Sequence, residues 1–233
     1  MQRCYTKHMQ YSTPYKPPTL TVDAVIFQII DGTLNVLLIQ RSGEPFKGDW
    51  ALPGGYSPEG ETTLEALERI VSYKAGVNIR NDLSYVEQLY TFDTVARDPR
   101  GHAVSVTYMG CGRDISPDHA HDTALFFPVD SLPPMAYDHG DIIKYAHERL
   151  VSKLTYTNAV YAFLPQYFTL AALQSAYEAV FGYPLDKRNF RKKFLSLHLT
   201  EETDQMQREG AHRPARLHRF TSDKLETLSR SFD

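Results

Sequence analysis

The segment PGGYSPEGETTLEALERIVSYKAGV, residues 53–77, constrains the fold of this chain more than any other stretch. A Gly/Pro-rich turn leads into an amphipathic pattern that predicts a helix over about residues 62–75, with Gly76 directly after its end. Five residues separate Gly55 from Glu61, and seven separate Glu61 from Arg69. This spacing places one carboxylate just before the predicted helix and one guanidinium on it, both close to the glycine-rich turn.

Apolar, β-branched runs on both sides of this segment predict an α/β domain. A strand pair is predicted for LTVDAVIFQI and LNVLLIQR, around the turn DGT. Further strands are predicted in LSYVEQLYTFDTVARD, HAVSVTYMGCG and ALFFPVD. DHGDIIKYAHERLVSKL has the pattern of an amphipathic helix. We therefore predict an N-terminal arm at residues 1–17 and an α/β domain at residues 18–154.

The remaining segment, residues 155–233, has the pattern of a winged helix-turn-helix domain. One helix is predicted between Thr169 as N-cap and Gly182, and a second begins after Asp186 as the next N-cap and continues to about His198. LTEETDQMQ and RPARLHRF then predict a hairpin, the wing, around the turn REGAH.

Charge is distributed unevenly along the chain. The formal net charge is only −3, but residues 182–221 contain nine Lys/Arg against five Asp/Glu. This local excess indicates an anionic partner for the C-terminal segment. The two cysteines predict no disulfide framework, and the absence of a long apolar run predicts no membrane partner and a cytoplasmic location.

The box from Gly55 to Val77 resembles that of the Nudix family, and the preceding GDWALPGG matches its usual lead-in. The resemblance implies a Nudix α/β/α sandwich. Where that family carries three glutamates, this chain carries Ile70, Tyr73 and Lys74. Since Mg²⁺ prefers hard oxygen ligands, we predict no catalytic residue, no metal, no cofactor and little or no Mg²⁺-dependent hydrolysis.

The other glutamates of this helix do not replace the missing ones. At 100° per residue, Leu64, Leu67, Val71 and Ala75 form the predicted buried stripe. Positions 70, 73 and 74 lie on one flank of the stripe, while Glu61, Glu65 and Glu68 lie on the other. We interpret these three glutamates as a solvated acidic face.

A site without metal ligands still retains groups that bind anions. The candidate ligand-binding residues are Arg41, Trp50, Tyr56 and Lys74, to which the resemblance of the segment ARDPRGHAVSVTY to Nudix proteins that handle ADP-ribose adds Arg97, Asp98 and Arg100. Arginine and lysine would clamp a pyrophosphate, and the aromatic rings would stack on a base or else belong to the core or rim. Within that segment, DPRG is also an ordinary hairpin turn.

The second helix of the C-terminal segment has two different faces. Phe190, Phe194 and Leu197 recur at helical spacing and predict packing on the preceding helix, whereas Arg188, Lys192 and Ser196 lie opposite. Arginine and asparagine near a helix N-terminus are typical of base readout in the major groove. The candidate DNA-binding residues are Lys187, Arg188, Asn189, Arg191 and Lys192, with Arg213 and Arg216 of the wing.

The C-terminal segment contains the stretches FTLAALQSAYEAVFGYPLDKRNFRKKF and GAHRPARLHRF. Together with the degenerate box, these stretches make the chain resemble Nudix-related transcriptional regulators of NAD metabolism of the NrtR type. The resemblance implies a homodimer that binds a double-stranded DNA operator and represses NAD biosynthesis or salvage genes. It also implies ADP-ribose or a related nucleotide as effector. Two alternatives stay open: an arabinose-responsive regulator of the same architecture, and an active ADP-ribose-type Nudix hydrolase.

Overall fold

The computed structural model describes residues 16–118, 120–208, 214–222 and 224–228. One sheet contains seven strands: β1 Thr19–Ile30, β2 Thr33–Gln40, β3 Trp50–Ala51, β4 Gly54–Tyr56, β5 Leu83–Phe92, β6 Ala103–Gly112 and β7 Ala124–Pro128. The helices α1 Thr63–Ala75, α2 Ile79–Asp82 and α3 His139–Tyr156 accompany this sheet. The predicted strands and the two long helices of the α/β domain are thus present.

The long strand β1 organises the sheet. The strands follow the order β3-β2-β1-β6-β5, with β4 paired to β1 and β7 paired to β2. β1 runs parallel to β6, whereas its other pairings, with β2 and β4, are antiparallel. The register places Asp23 of β1 opposite Gly54 on one side and Thr107 on the other. A carboxylate therefore lies within the sheet at the point where the turn before α1 begins.

The two faces of the sheet bury different sets of side chains, because successive strand residues point to opposite faces. Val22, Ala24 and Ile26 share one core cluster with Leu67 and other residues of α1. On the other face, Val25 and Phe27 belong to a cluster that includes residues of α3 and of the C-terminal helices. Helices on both faces of one sheet confirm the predicted α/β/α sandwich.

The ends of α1 follow from local chemistry. Thr62 and Glu65 form a capping box, and Gly76 ends the helix in the left-handed conformation with φ 66°. The predicted buried stripe was wrong at Leu64, which is 41% exposed. Ala66 and Ile70 are buried instead, because the helix packs with this flank against the sheet and the Gly54–Tyr56 strand.

The C-terminal elements have the predicted winged helix-turn-helix order. After a 3₁₀ helix at Ala159–Phe163 come α4 Leu170–Phe181 and α5 Lys187–Leu195, followed by the antiparallel pair β8 Thr200–Gln207 and β9 Ala215–Phe220. Asp186 caps α5 as predicted. The helix ends before His198, which has a φ of 55° that a helix does not accommodate.

Aromatic packing holds the two C-terminal helices together. Phe190 and Phe194 of α5 are buried, and their rings lie 5.4 and 6.1 Å from the ring of Tyr177 in α4. This arrangement leaves the opposite face of α5 exposed.

The limits predicted for the arm and the two domains, at residues 17 and 154, stay predictions. The helix α3 continues past residue 154 to Tyr156.

Candidate ligand cavity and nucleic-acid interface

The structure brings six of the seven predicted ligand-binding residues to one cavity of about 490 Å³. The six are Arg41, Tyr56, Lys74, Arg97, Asp98 and Arg100. Trp50 is not among the described residues that line this cavity. Its ring packs edge-to-face on Phe127, with 4.6 Å between ring centroids, and it belongs to the periphery of the core.

Arg97 binds acidic side chains at the base of the cavity. Its guanidinium donates two hydrogen bonds to Asp138, of 2.9 and 2.8 Å, and its Nη2 lies 3.5 Å from Asp23 Oδ2. Burial alone would lower the pKa of Arg97, but the Asp138 hydrogen bonds and the charge of Asp23 raise it overall. Arg97 therefore stays charged while its charge is largely neutralised within the protein.

Asp23 and His139 form a buried polar pair that the sequence analysis did not identify as functional. Asp23 accepts a hydrogen bond from Ser105, and its Oδ1 lies 3.7 Å from His139 Nε2. The other ring nitrogen of His139 accepts a hydrogen bond from the Leu52 amide at 2.9 Å. Burial lowers the pKa of His139, so the ring is neutral at pH 7.

One sequence signal does exist for this pair. Asp23 is the only acidic residue in the otherwise apolar run LTVDAVIFQI, and a lone carboxylate inside a buried strand requires a polar partner. No comparable signal marks His139.

Cationic and aromatic groups form another wall of the cavity. The Arg41 guanidinium lies 4.9 Å from the centroid of the Tyr137 ring. Arg100 lies between two rings, 5.7 Å from Tyr56 and 5.9 Å from Tyr137, and also forms an ion pair with Asp98. Because Tyr56 is 54% exposed, this wall presents a planar aromatic surface beside positive charge.

The Lys74 side chain extends from α1 to the strand β4, which begins at Gly54. Its Nζ donates a 2.8 Å hydrogen bond to the Gly54 carbonyl, and the side chain lines the cavity. Burial is the main cause that lowers the pKa of Lys74. Among the described residues, no carboxylate lies within 4.0 Å of this ammonium.

The residues in the positions of the Nudix-box glutamates do not fit a Mg²⁺ ion. Ile70 is buried against Gly55, and Tyr73 stacks on His121 with 4.5 Å between ring centroids. Lys74 supplies a cation where the metal would require an anionic oxygen. Across the part of the chain that the structure describes, no group of three His, Cys, Asp or Glu residues lies close enough together to hold a metal.

The remaining glutamates of this region have other partners. Glu61 accepts two hydrogen bonds from Arg69, each of 2.8 Å, and Glu65 caps its own helix through Thr62. Glu68 accepts a 2.8 Å hydrogen bond from Arg80. Glu65 is exposed, as expected for a solvated acidic face, whereas the ion-paired side chains of Glu61 and Glu68 are only 28% and 25% exposed.

The exposed face of α5 presents most of the predicted DNA-binding residues. Lys187, Arg188, Asn189 and Lys192 are exposed, while Arg191 is half-buried with its Nε enclosed. In the wing, Arg216 forms a 2.9 Å ion pair with Glu202 of the neighbouring strand. Arg213 lies outside the described residues. Of the candidate DNA-binding residues that the structure describes, the exposed cations without an ion pair to a carboxylate, Lys187, Arg188 and Lys192, all lie on α5.

These features define a class of protein, a DNA-binding regulator whose ligand-binding domain has the Nudix fold. The chain matches the NUDIX domain over residues 19–146 and the NrtR DNA-binding winged helix domain over residues 160–220. It is 35% identical over 213 residues to the ADPR responsive transcriptional repressor NtrR of Acinetobacter baylyi, an alignment that covers 88% of this chain and 83% of that protein. The chain belongs to the NrtR family of regulators.

Two solved structures support this membership. Shewanella oneidensis NrtR complexed with a 27mer DNA is 32% identical, with a TM-score of 0.75, and the match covers 92% of this chain and 99% of that one. The NUDIX domain of the same protein complexed with ADP ribose is 36% identical, with a TM-score of 0.53, over 58% of this chain and 90% of that one. In the described part of this chain, no helix is long and apolar enough to cross a membrane.

Proposed function

We propose that this chain is an ADP-ribose-responsive transcriptional repressor of NAD biosynthesis or salvage genes. It would act in the cytoplasm as a homodimer on a double-stranded DNA operator. The observation that carries this proposal is a cavity lined by five cations, where the described residues offer no group of three metal ligands, in the same chain as a helix whose exposed face is basic. The relatives named above, a repressor responsive to ADPR and a NUDIX domain that binds ADP ribose, supply the identity of the effector.

The charge of the cavity favours a phosphorylated effector over a neutral sugar. Five cationic side chains line it, against the two acidic side chains of Asp23 and Asp98. Of these five cations, Arg41 and Lys74 have no carboxylate within 4.0 Å among the described residues. An uncharged pentose would leave these two without a counter-charge, whereas a diphosphate supplies one. This balance supports the ADP-ribose hypothesis over the arabinose alternative.

The cavity binds its ligand without hydrolysing it. Hydrolysis in Nudix-type sites needs carboxylates that hold Mg²⁺ against the diphosphate. Ile70, Tyr73 and Lys74 supply none, and the nearby Glu61 is engaged by Arg69. Retention of the intact ligand suits a sensor, because the signal then lasts as long as the ligand stays bound.

A continuous set of contacts runs from the cavity to the DNA-binding helices. Arg97 of the cavity binds Asp138, the residue that precedes α3. Further along α3, His147 Nε2 lies 2.7 Å from the Val180 carbonyl of α4, and α4 packs on α5. Ligand binding that moves Arg97 would therefore tilt α3 and change the spacing of two recognition helices in a dimer.

The test is fluorescence anisotropy with labelled duplexes from upstream of NAD biosynthesis and salvage genes. Specific binding, compared with a scrambled duplex at the same salt concentration, should be reversed by ADP-ribose and not by arabinose. The same samples, incubated with Mg²⁺ and ADP-ribose, should show intact ligand. Absence of specific binding, or reversal by arabinose alone, would contradict the proposed function.

A further inference from the structure

The five cations of the cavity fall into two groups. Arg69, Arg97 and Arg100 each form an ion pair with a carboxylate, at 2.8, 2.8 and 2.7 Å respectively. Among the described residues, neither Arg41 nor Lys74 has a carboxylate within 4.0 Å. Arg41 donates hydrogen bonds of 2.8 and 3.2 Å to the backbone carbonyls of Pro45 and Gly43. Within the part of the chain that the structure describes, these two cations are therefore the ones in the cavity whose charge no ion pair balances.

The Lys74 ammonium is held in place at the cavity wall. Its hydrogen-bond acceptor, the carbonyl of Gly54, belongs to a strand that pairs closely with β1. The approach is so close that a Cβ on Gly54 would lie 1.9 Å from Asp23 Oδ1 and 2.8 Å from the Val22 carbonyl. The carbonyl that Lys74 binds therefore belongs to a closely packed part of the sheet.

Lys74 retains the capacity to bind an anion. An ammonium has three donors, and the Gly54 carbonyl is its acceptor among the described residues. Arg41 and Lys74 line the same cavity. Burial and the Arg41 charge lower the pKa of Lys74, whereas the charges of Asp122 and Asp23 raise it. Two cations on the wall of one cavity favour an anion bound within reach of both.

We propose that the Lys74 ammonium, together with Arg41, takes the place of a divalent cation, so that the cavity binds a diphosphate ligand in its metal-free form. The inference rests on the proposed function, in which this cavity is the effector site. A Mg²⁺ ion carried in on the ligand would meet the Lys74 ammonium and no carboxylate from positions 70, 73 or 74. Mg²⁺ should therefore leave the affinity unchanged or weaken it.

The experiment is isothermal titration calorimetry on the full chain, with ADP-ribose and inorganic pyrophosphate as separate probes. Each titration is done in EDTA and again in excess Mg²⁺. The variants are Lys74→Met, which removes the charge, Lys74→Arg, which keeps it, and Lys144→Met as a matched control at an exposed position of α3. Thermal unfolding of each variant verifies that it is folded.

The expected result is wild-type affinity in EDTA at least equal to that in Mg²⁺. Lys74→Met should weaken binding by at least about tenfold, the equivalent of one lost charge-assisted hydrogen bond. Lys74→Arg should keep most of the affinity, and Lys144→Met all of it. A strict requirement for Mg²⁺, or wild-type affinity in folded Lys74→Met, overturns the inference while the effector assignment stands.

The pyrophosphate titration separates this inference from the proposed function. If ADP-ribose does not bind but pyrophosphate binds in EDTA and depends on Lys74, the metal-free anion site stands and the effector assignment fails. If neither probe binds the wild-type protein under either condition, both proposals are overturned.

Discussion

The guanidinium of Arg97 and the carboxylate of Asp138 are joined by two hydrogen bonds, of 2.9 and 2.8 Å. Arg97 belongs to the segment between β5 and β6, and Asp138 directly precedes α3, so the pair fastens a cavity-lining loop to the long helix. The Arg97 side chain is only 5% exposed. The pair is therefore a structural brace and one link between the cavity and α3.

Arg97→Met should destabilise the protein by about 3 kcal/mol, because it leaves the buried Asp23 and the partly buried Asp138 without their counter-charge. Denaturant unfolding gives this value directly. Arg80→Met is the matched control, since Arg80 forms its ion pair with Glu68 at 73% exposure and should leave stability nearly unchanged. Equal effects of the two substitutions would show that the Arg97 pair is not a brace.

Gly54→Ala should also destabilise the protein, by about 2 kcal/mol, through overpacking. The added methyl group meets the Asp23 carboxylate and the Val22 backbone, neither of which is free to move. Gly43→Ala is the control, because nothing lies within 4 Å of a Cβ at that position. A Gly54→Ala protein with wild-type unfolding free energy would mean that β4 is not held as closely to β1 as the structure shows.

Arg188→Ala should weaken operator binding by about 1–3 kcal/mol if the side chain contacts base edges. Because Arg188 is exposed, the substitution should leave the thermal stability of the protein unchanged. Fluorescence anisotropy with the specific and the scrambled duplex distinguishes base readout from phosphate contact. Loss confined to the specific duplex indicates base readout, whereas equal loss on both indicates phosphate contact. Arg80→Ala, on the Nudix domain, should bind DNA as the wild type does.

Ile70→Glu should not restore a metal site. Ile70 is only 4% exposed and packs against Gly55, so a glutamate there would place a carboxylate in the core, at a cost on the order of 3 kcal/mol. Tyr73→Glu, at a position 57% exposed, should be tolerated. Denaturant unfolding gives the stability of the two variants. A stable Ile70→Glu protein that hydrolyses ADP-ribose would contradict the conclusion that position 70 cannot supply a ligand to Mg²⁺.

Stability should fall as the pH is lowered below 6.5. Burial lowers the pKa of His139 from that ordinary value, and the same cause lowers the pKa of His218. The unfolded chain then binds more protons than the native protein, so the stabilisation present above pH 6.5 is lost progressively below it. His139→Asn, which keeps an acceptor for the Leu52 amide, should reduce this slope in unfolding experiments between pH 7 and pH 5. Identical slopes would exclude His139 as a contributor.

The elements and their ends were predictable because their causes are local. Thr62, Thr169 and Asp186 cap helices within three residues of their own positions, and Gly76 and Gly182 end helices through a conformation that glycine adopts freely. Local chemistry of this kind is fully present in the sequence. The same holds for the alternation of strands and helices that predicted the sandwich and the winged helix.

The sequence by itself thus determined the elements, their order and the residue types available for an anion site. Only the tertiary structure decided which of those residues meet. It brought Arg41 and Lys74 together in a cavity, left Trp50 in the periphery of the core, and buried Ile70 where the helical pattern suggested Leu64. The reason is physical: burial and charge pairing depend on which face of a helix meets the sheet and on strand register, and these are set by contacts between residues far apart in the chain.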